Sequence, residues 1–359
     1  MQLKTLSYRD SNWSIENLQL NEVSLLVGKN ATGKSRTIAA IARLRDLIEQ
    51  EKFLEQSTEW EISFINHNNK IIDYRFRTGN SGREIVYEEM IYDGEVVINR
   101  NKQKESKSAT IKNILTKQEE EIYPPSDKLI IHTNRDIKKF PYLEEIATWA
   151  EQSYALKFGK LHPKMSINGA DYASFKAIAE LPAMYEELNA ADRKNVVDKL
   201  NDLGYEVVLV ELQYYAGLPM LMLEEKGIVR TVSHLQISQG MYRALALLIY
   251  FQYLRSKQQT ATFFIDDLCE GLDYDRATKL GKFLFKTALE NNIQLIATSN
   301  DSFLMEVVDL KYWNVLVREG TKVTGINAQS YPKIFEDFKF TGLSNFDFFS
   351  SSYLKSALK

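Results

Sequence analysis

The chain has 359 residues, 44% of them hydrophobic and 26% charged, with a formal net charge of −3. That balance suits a globular protein with room for a sizeable core and gives no global basic field in support of a nucleic-acid partner. A single cysteine, Cys269, excludes an intramolecular disulfide framework, and the four widely spaced histidines give no metal-ligand pattern.

The opening residues Met1 to Tyr8 carry no signal-peptide pattern, and the apolar run Ala244 to Tyr250 is far too short to span a bilayer. A cytoplasmic location and no membrane partner are expected. Three short strands are predicted at Leu3 to Tyr8, Trp13 to Leu20 and Val23 to Val27. A glycine-containing loop follows, then a helix from Lys34 to about Gln50 whose Ile38, Ile41, Leu44, Leu47 and Ile48 form one apolar face. Glu61 to Phe64, Ile71 to Phe76, Ile85 to Tyr92 and Glu95 to Ile98 read as hairpin strands, turned at Asn68-Asn69, Gly79 to Gly82 and Asp93-Gly94.

Asn99 to Glu121 is rich in Lys, Glu and Ser and reads as an exposed arm. Its lysines, Lys102, Lys104, Lys107, Lys112 and Lys117, fit either a strip for a phosphate backbone or a solvated surface diluted by Glu105, Glu119, Glu120 and Glu121. Leu129 to His132 reads as a short apolar strand, and about Tyr142 to Leu203 as helical. Tyr205 to Leu212 and Pro219 to Leu223 form a predicted strand pair. Gln239 to Arg255 is predicted helix, Thr262 to Ile265 a buried strand, Ala277 to Glu290 helix, and Gln294 to Thr298 a strand. The segment from Phe335 to Leu354 is aromatic, and its Phe346, Phe348, Phe349 and Tyr353 fit a partner-docking tail or a C-terminal segment folded onto its own core. This alternation predicts an α/β fold with an antiparallel β lobe and a helical insertion. The expected boundaries are 1–135 and 236–330 for the two parts of the core, 136–235 for the insertion and 331–359 for the tail.

Gly28-Lys29-Asn30-Ala31-Thr32-Gly33-Lys34-Ser35 matches G-x-x-x-x-G-K-[ST], with an apolar strand before it and an amphipathic helix after it. In this pattern the glycines let backbone N–H groups wrap a phosphate, and the helix start adds a favourable dipole. Lys34 reaches the β/γ-phosphates, Ser35 places its hydroxyl on Mg²⁺, and Asn30, Ala31, Thr32 and Arg36 complete the expected phosphate cradle. Phe263-Phe264-Ile265-Asp266-Asp267 is an apolar strand ending in carboxylates. Asp266 is the candidate Mg²⁺ ligand beside Ser35, and Asp267 stands where a water-activating base would act. ATP and Mg²⁺ are the expected cofactors.

Further motifs narrow the class. Ile237-Ser238-Gln239-Gly240-Met241-Tyr242-Arg243 resembles the S-x-G signature of ABC-class ATPases, and Ser238 stands about 28 residues ahead of Asp266. Glu270-Gly271-Leu272-Asp273 resembles the D-loop, and Ile296 to Asp301 the strand and switch that end such a site. The long gap between phosphate loop and signature resembles the SMC/RecF/OLD-like group more than transporter subunits. This resemblance implies an ABC-type P-loop core and a head-to-tail homodimer in which Ser238 and Gly240 cap the ATP of the other subunit. It also implies a place in prokaryotic anti-phage defence or DNA repair. With no nuclease motif visible, an effector activity would come from a separate protein. An ATP-locked scaffold without hydrolysis is the alternative.

Several positions depart from the group. Asp267 replaces the usual glutamate and is one methylene shorter, which predicts slow turnover; Glu270 is a possible substitute base. Asn300 stands at the switch position usually held by histidine, where it can hydrogen-bond a γ-phosphate but carry no charge. The usual Q-loop glutamine is not evident, and Thr133 or Asn134 stands nearest its place. Tyr8 and Trp13 fit either adenine stacking or core packing.

Overall fold

The computed structural model describes residues 1–50, 56–101, 108–163, 175–351 and 353–358. The chain opens with β1 (Gln2–Asp10), β2 (Ser14–Gln19) and β3 (Val23–Val27), followed by α1 (Lys34–Gln50). Six strands come next: β4 (Thr58–Ile65), β5 (Ile71–Thr78), β6 (Ile85–Tyr92), β7 (Glu95–Asn101), β8 (Ala109–Lys112) and β9 (Glu119–Ile122). After α2 (Ile130–Thr133), α3 (Pro141–Glu151) and β10 (Ser153–Lys157) come α4 (Phe175–Glu186) and α5 (Ala190–Asp202). β11 (Val207–Tyr215), β12 (Leu218–Glu225) and β13 (Val232–Ser233) precede α6 (Gln239–Lys257). Then follow β14 (Ala261–Asp266), α7 (Tyr274–Glu290), β15 (Ile293–Thr298) and α8 (Ser302–Val307). β16 (Trp313–Glu319), β17 (Lys322–Asn327), α9 (Pro332–Lys339), α10 (Asn345–Ser350) and α11 (Tyr353–Ala357) end the chain.

These elements form two compact units. The first comprises Met1–Ser153 with Lys311–Asp337, the second Tyr154–Leu310 with Phe338–Lys359. In the first unit the strand order is β3-β16-β17-β2-β1-β4-β5-β6-β7-β8-β9. β3 is buried along its whole length and runs parallel to β16, which is why its residues, Ser24 apart, are apolar rather than alternating. From β2 outward through β9 the pairing is antiparallel. Strands there alternate, with Ile72, Tyr74 and Phe76 of β5 fully buried and the residues between them more exposed. Asp93 and Gly94 both take positive φ, 53° and 84°, as the tight turn between β6 and β7 requires. α3 lays Leu143, Ile146 and Ala150 into the core, and Trp149 meets Phe64 edge-on at 4.8 Å.

The second unit holds β10-β14-β15, with β14 and β15 parallel and wholly buried. α6 is buried almost throughout, from Met241 to Gln252, so its sequence is largely apolar rather than striped, with Arg243 and Gln252 as buried polar exceptions. β11, β12 and β13 make a separate small sheet. The C-terminal segment folds back on its own unit: Phe338 meets Phe348 at 4.9 Å and Tyr353 at 5.0 Å, with Phe338 and Phe348 buried.

Three sequence expectations change. Leu129 to His132 is not a strand; Ile130–Thr133 is a short helix, with Ile130 and Ile131 buried. The expected arm at Asn99 to Glu121 carries two strands, β8 and β9, because Ala109 and Ile111 alternate into the core. Lys102, Lys104, Lys107 and Glu105 lie outside the described residues, and Lys112 pairs with Glu95. The helical reading of Tyr142 to Leu203 is interrupted by β10, whose Tyr154 stacks on Phe263 of β14 at 5.1 Å. Among the described residues no helix is long and apolar enough to cross a membrane.

Candidate functional site

Gly28 to Gly33 form the loop between buried β3 and α1, and Lys34 and Ser35 open the helix. Its path depends on small residues. A Cβ at Gly28 would lie 2.5 Å from Thr32 Oγ1, and Gly33 sits at φ 108° with its α-carbon face against Val323 and Trp13. Ala31 takes φ 65°, and the Arg318 guanidinium donates to its carbonyl at 3.1 Å. Thr32 Oγ1 donates to Lys29 O at 2.8 Å, and Thr37 Oγ1 to Gly33 O at 3.0 Å. Lys34 is buried; its Nζ folds over the loop and donates to Gly28 O at 2.6 Å and Lys29 O at 3.2 Å. Asn30 and Ala31 of the loop and Ser35 and Arg36 of the first turn of α1 are exposed. This is a backbone nest at a helix start with a lysine over it, an arrangement suited to a phosphate group. Tyr8 and Trp13 are buried, at 1% and 4% exposure, and Tyr8 packs on Trp60 at 4.4 Å, which favours their core-packing reading.

In the second unit the end of β14 carries Asp266 and Asp267. Thr298 Oγ1, at the end of β15, donates to Asp266 Oδ1 at 2.7 Å and accepts from the Asp267 backbone N–H at 2.8 Å. Asp267 stands at φ 54°, which turns the chain sharply out of the strand. Lys157, the last residue of β10, places its Nζ 3.6 Å from Asp266 Oδ2 and 3.4 Å from Asp267 Oδ2. Burial works against the Lys157 charge, but the neighbouring carboxylates outweigh it and raise its pKa above the ordinary lysine value. Cys269 is fully buried, and burial pushes its thiol pKa well up, so it is a packing residue rather than a nucleophile.

The signature and the D-loop are tied together. Ser238 is the exposed N-cap of α6, accepting from Met241 N at 3.2 Å. Gly240 faces Leu272 and Tyr205, where a Cβ would stand 3.2 Å and 3.4 Å from their atoms. Both residues line a groove of ≈ 610 Å³ with Tyr205, Asp273 and Arg276. One turn on, buried Arg243 donates to the carbonyls of Glu270, at 3.1 Å, and Gly159. The Glu270 carboxylate rests against Gly159 so closely that a methyl there would overlap it. Asn300 is exposed, two residues beyond Thr298, and Asp301 after it caps α8 through Phe303 N and Leu304 N. Thr133 and Asn134 are engaged with one another at 2.8 Å at the end of α2.

The residues fit a magnesium–nucleotide by the chemistry of their donors. Asp266 and Asp267 offer hard carboxylate oxygens that already face a cation, the Lys157 ammonium, while Thr298 fixes the other oxygen of Asp266. The loop residues Gly28, Asn30, Ala31, Thr32, Gly33, Lys34, Ser35 and Arg36 are gathered in the first unit; Asp266 and Asp267 are gathered with Thr298 in the second, as are Ser238 and Gly240 in the groove. Sequence reasoning missed Lys157, Thr298 and Arg318. Only Thr298 had a signal, a hydroxyl closing an apolar strand.

A buried strand feeding a glycine-rich phosphate loop, with parallel strands one of which ends in two aspartates, is the α/β architecture of an ABC-type P-loop ATPase. The chain belongs to the AAA_21 family, described as "AAA domain, putative AbiEii toxin, Type IV TA system", whose model matches residues 23–306. Among solved structures it is similar to an SMC head bound to the C-winged helix domain of ScpA, with a TM-score of 0.55 and 13% identity over 93% of this chain and 100% of that one. An SMC head with an extended coiled coil, bound to the C-terminal domain of ScpA derived from Pyrococcus furiosus, gives a TM-score of 0.52 and 13% identity over 94% and 99% of the two chains. An SMC head domain from Thermotoga maritima gives 0.49 and 13% over 91% and 99%. No curated protein matches. At this identity the structural likeness concerns the fold.

Proposed function

We propose that the chain binds and hydrolyses ATP as an ATP-gated head-to-tail homodimer, and serves as the sensor or motor subunit of a prokaryotic defence or DNA-repair assembly with a separate effector. In this reading Gly28 to Ser35 and Arg36 cradle the phosphates, and Lys34 trades its loop carbonyls for phosphate oxygens. Ser35 and Asp266 hold Mg²⁺, which when bound neutralises phosphate charge. Asp267 accepts the proton of the attacking water, with Asn300 as a neutral hydrogen-bonding partner. Ser238 and Gly240, at the dipole-positive start of α6, meet the phosphates of the other subunit's ATP.

The single observation that carries the reading is the match of one family model across residues 23–306, a span that includes the phosphate loop, the signature and Asp266. The family description motivates the defence context, and the partner-bound SMC heads motivate a separate protein partner. The test measures phosphate release and molar mass with and without ATP, for the native chain and for Ser238→Arg. ATP-dependent dimers lost in Ser238→Arg are expected; a Ser238→Arg chain that stays monomeric and still hydrolyses at the native rate would defeat the dimer model.

A second reading, a scaffold that ATP locks without being hydrolysed, is favoured by the short side chain of Asp267. It predicts ATP-dependent dimers and no phosphate release.

A further inference from the structure

The contact between Lys157 and the two aspartates bears on how the site loads. Asp266 and Asp267 are adjacent carboxylates at one strand end. Thr298 occupies Asp266 Oδ1, so Oδ2 is the oxygen that faces a cation. The cation it faces is Lys157 Nζ, at 3.6 Å, and the same ammonium lies 3.4 Å from Asp267 Oδ2. We infer that Lys157 is an internal counter-cation that holds the carboxylate pair and yields Asp266 to a divalent metal when the metal arrives with nucleotide. The inference rests on the reading of Asp266 as the metal ligand.

Two further observations support it. Among the described residues no group of three or more His, Cys, Asp or Glu side chains could hold a metal ion. Two carboxylates alone are a poor resident Mg²⁺ site, since Mg²⁺ usually takes one or two carboxylates together with substrate phosphates. The lysine is also placed to leave. Its side chain is 41% exposed, on a flexible four-carbon stem with three donors, so it can release the carboxylates and donate to a phosphate oxygen. Water can solvate the displaced ammonium in either case, but a metal–nucleotide also brings anionic phosphate oxygens for it. Exchange is therefore favoured more strongly for the complex than for the free metal.

The experiment titrates Mn²⁺, read by electron paramagnetic resonance, into the full chain without nucleotide and then with ATP. It compares the native chain, Lys157→Gln, Lys157→Met and each of these with Asp266→Asn. Without nucleotide, both Lys157 variants should bind Mn²⁺ about 10-fold more tightly than the native chain, as removal of a contacting like charge implies, and Asp266→Asn should abolish the gain. With ATP the native chain should bind Mn²⁺ in an Asp266-dependent way. Equal Mn²⁺ affinities without nucleotide, beside Asp266-dependent binding with ATP, would overturn the role of Lys157 and leave the proposed site standing. ATP-dependent Mn²⁺ binding indifferent to Asp266→Asn would instead remove Asp266 as the ligand, and this inference with it.

Discussion

Thr298 serves Asp266 and Asp267 at once: its hydroxyl donates to Asp266 Oδ1 at 2.7 Å while its oxygen receives the Asp267 N–H at 2.8 Å. One side chain on β15 therefore sets both the rotamer of the candidate metal ligand and the backbone turn that aims the candidate base. Thr298→Val keeps the shape and removes both bonds. It should cost about 1–3 kcal/mol of stability, the penalty for a buried group left unpaired. Phosphate release should fall by about 10-fold or more, in line with the loss of a positioned base. Urea denaturation and a phosphate-release assay check the pair, with Thr298→Ser expected to restore both. A Val variant at the native rate would show that the bond is merely structural.

Asp267 occupies φ 54°, in the left-handed region that Asp and Asn tolerate better than most residues with a Cβ. Asp267→Asn should thus keep the turn while removing the proton acceptor. Phosphate release is expected to drop by about 100-fold, within the range of general-base contributions, with ATP affinity unchanged. If hydrolysis gates the dimer, the ATP-bound dimer of this variant should outlast the native one in gel filtration. Undiminished phosphate release would take the base role away from Asp267 and turn attention to Glu270.

Arg318 reaches the crest of the phosphate loop from the end of β16. Its Nη1 donates to Ala31 O at 3.1 Å and its Nε to Gly320 O at 2.8 Å, so the planar guanidinium braces the residue that takes φ 65°. Arg318→Ala should weaken ATP binding by about 10-fold, the worth of one charge-assisted hydrogen bond to the loop, and Lys should rescue poorly because it lacks the fork. Because Arg318 is exposed, the melting temperature without nucleotide should move little. Fluorescent-nucleotide titration beside a thermal melt separates these outcomes; equal ATP affinity would show that the loop holds its shape without the brace.

The parts of the site that depend on local chain geometry were legible in the sequence. Gly28 and Gly33 announce a loop no larger residue can follow, and the apolar run ending at Asp266 announces a buried strand with a carboxylate at its tip. What escaped were contacts made by residues far apart in sequence. Lys157 closes a strand that charge and helix propensity disguised, Thr298 differs from any strand threonine only by its neighbours, and Arg318 lies 287 residues from Ala31. The β8 and β9 strands were hidden for a related reason: a charged composition outweighed the short alternation of Ala109 and Ile111, which only pairing with β7 makes decisive.

The first unit also carries a buried charged pair whose pH behaviour is testable. Glu88 and Arg100 are 0% and 2% exposed, 3.5 Å apart. Burial pushes the Glu88 pKa up to about 7, against the pull of the Tyr74 hydroxyl, the Ile130 N–H and Arg100. Arg100 also donates to Lys128 O at 2.7 Å and Pro125 O at 2.8 Å, which fastens the segment before α2 to the sheet. Arg100→Met removes the cation and should raise the Glu88 pKa further in the folded chain. A carboxyl whose folded pKa lies above its unfolded value keeps a proton that the unfolded chain has lost, so stability falls as pH rises through that interval. The deficit of the variant should therefore grow with pH. It should approach about 3–5 kcal/mol at pH 8.5, where an uncompensated buried carboxylate must ionise or hold its proton at a cost, and be smaller at pH 5.5, where Glu88 is already protonated. Urea unfolding of the two chains at both pH values measures this directly. A deficit that is the same at both would assign the whole effect to the lost bonds with Lys128 and Pro125 rather than to the pairing of Glu88 with Arg100.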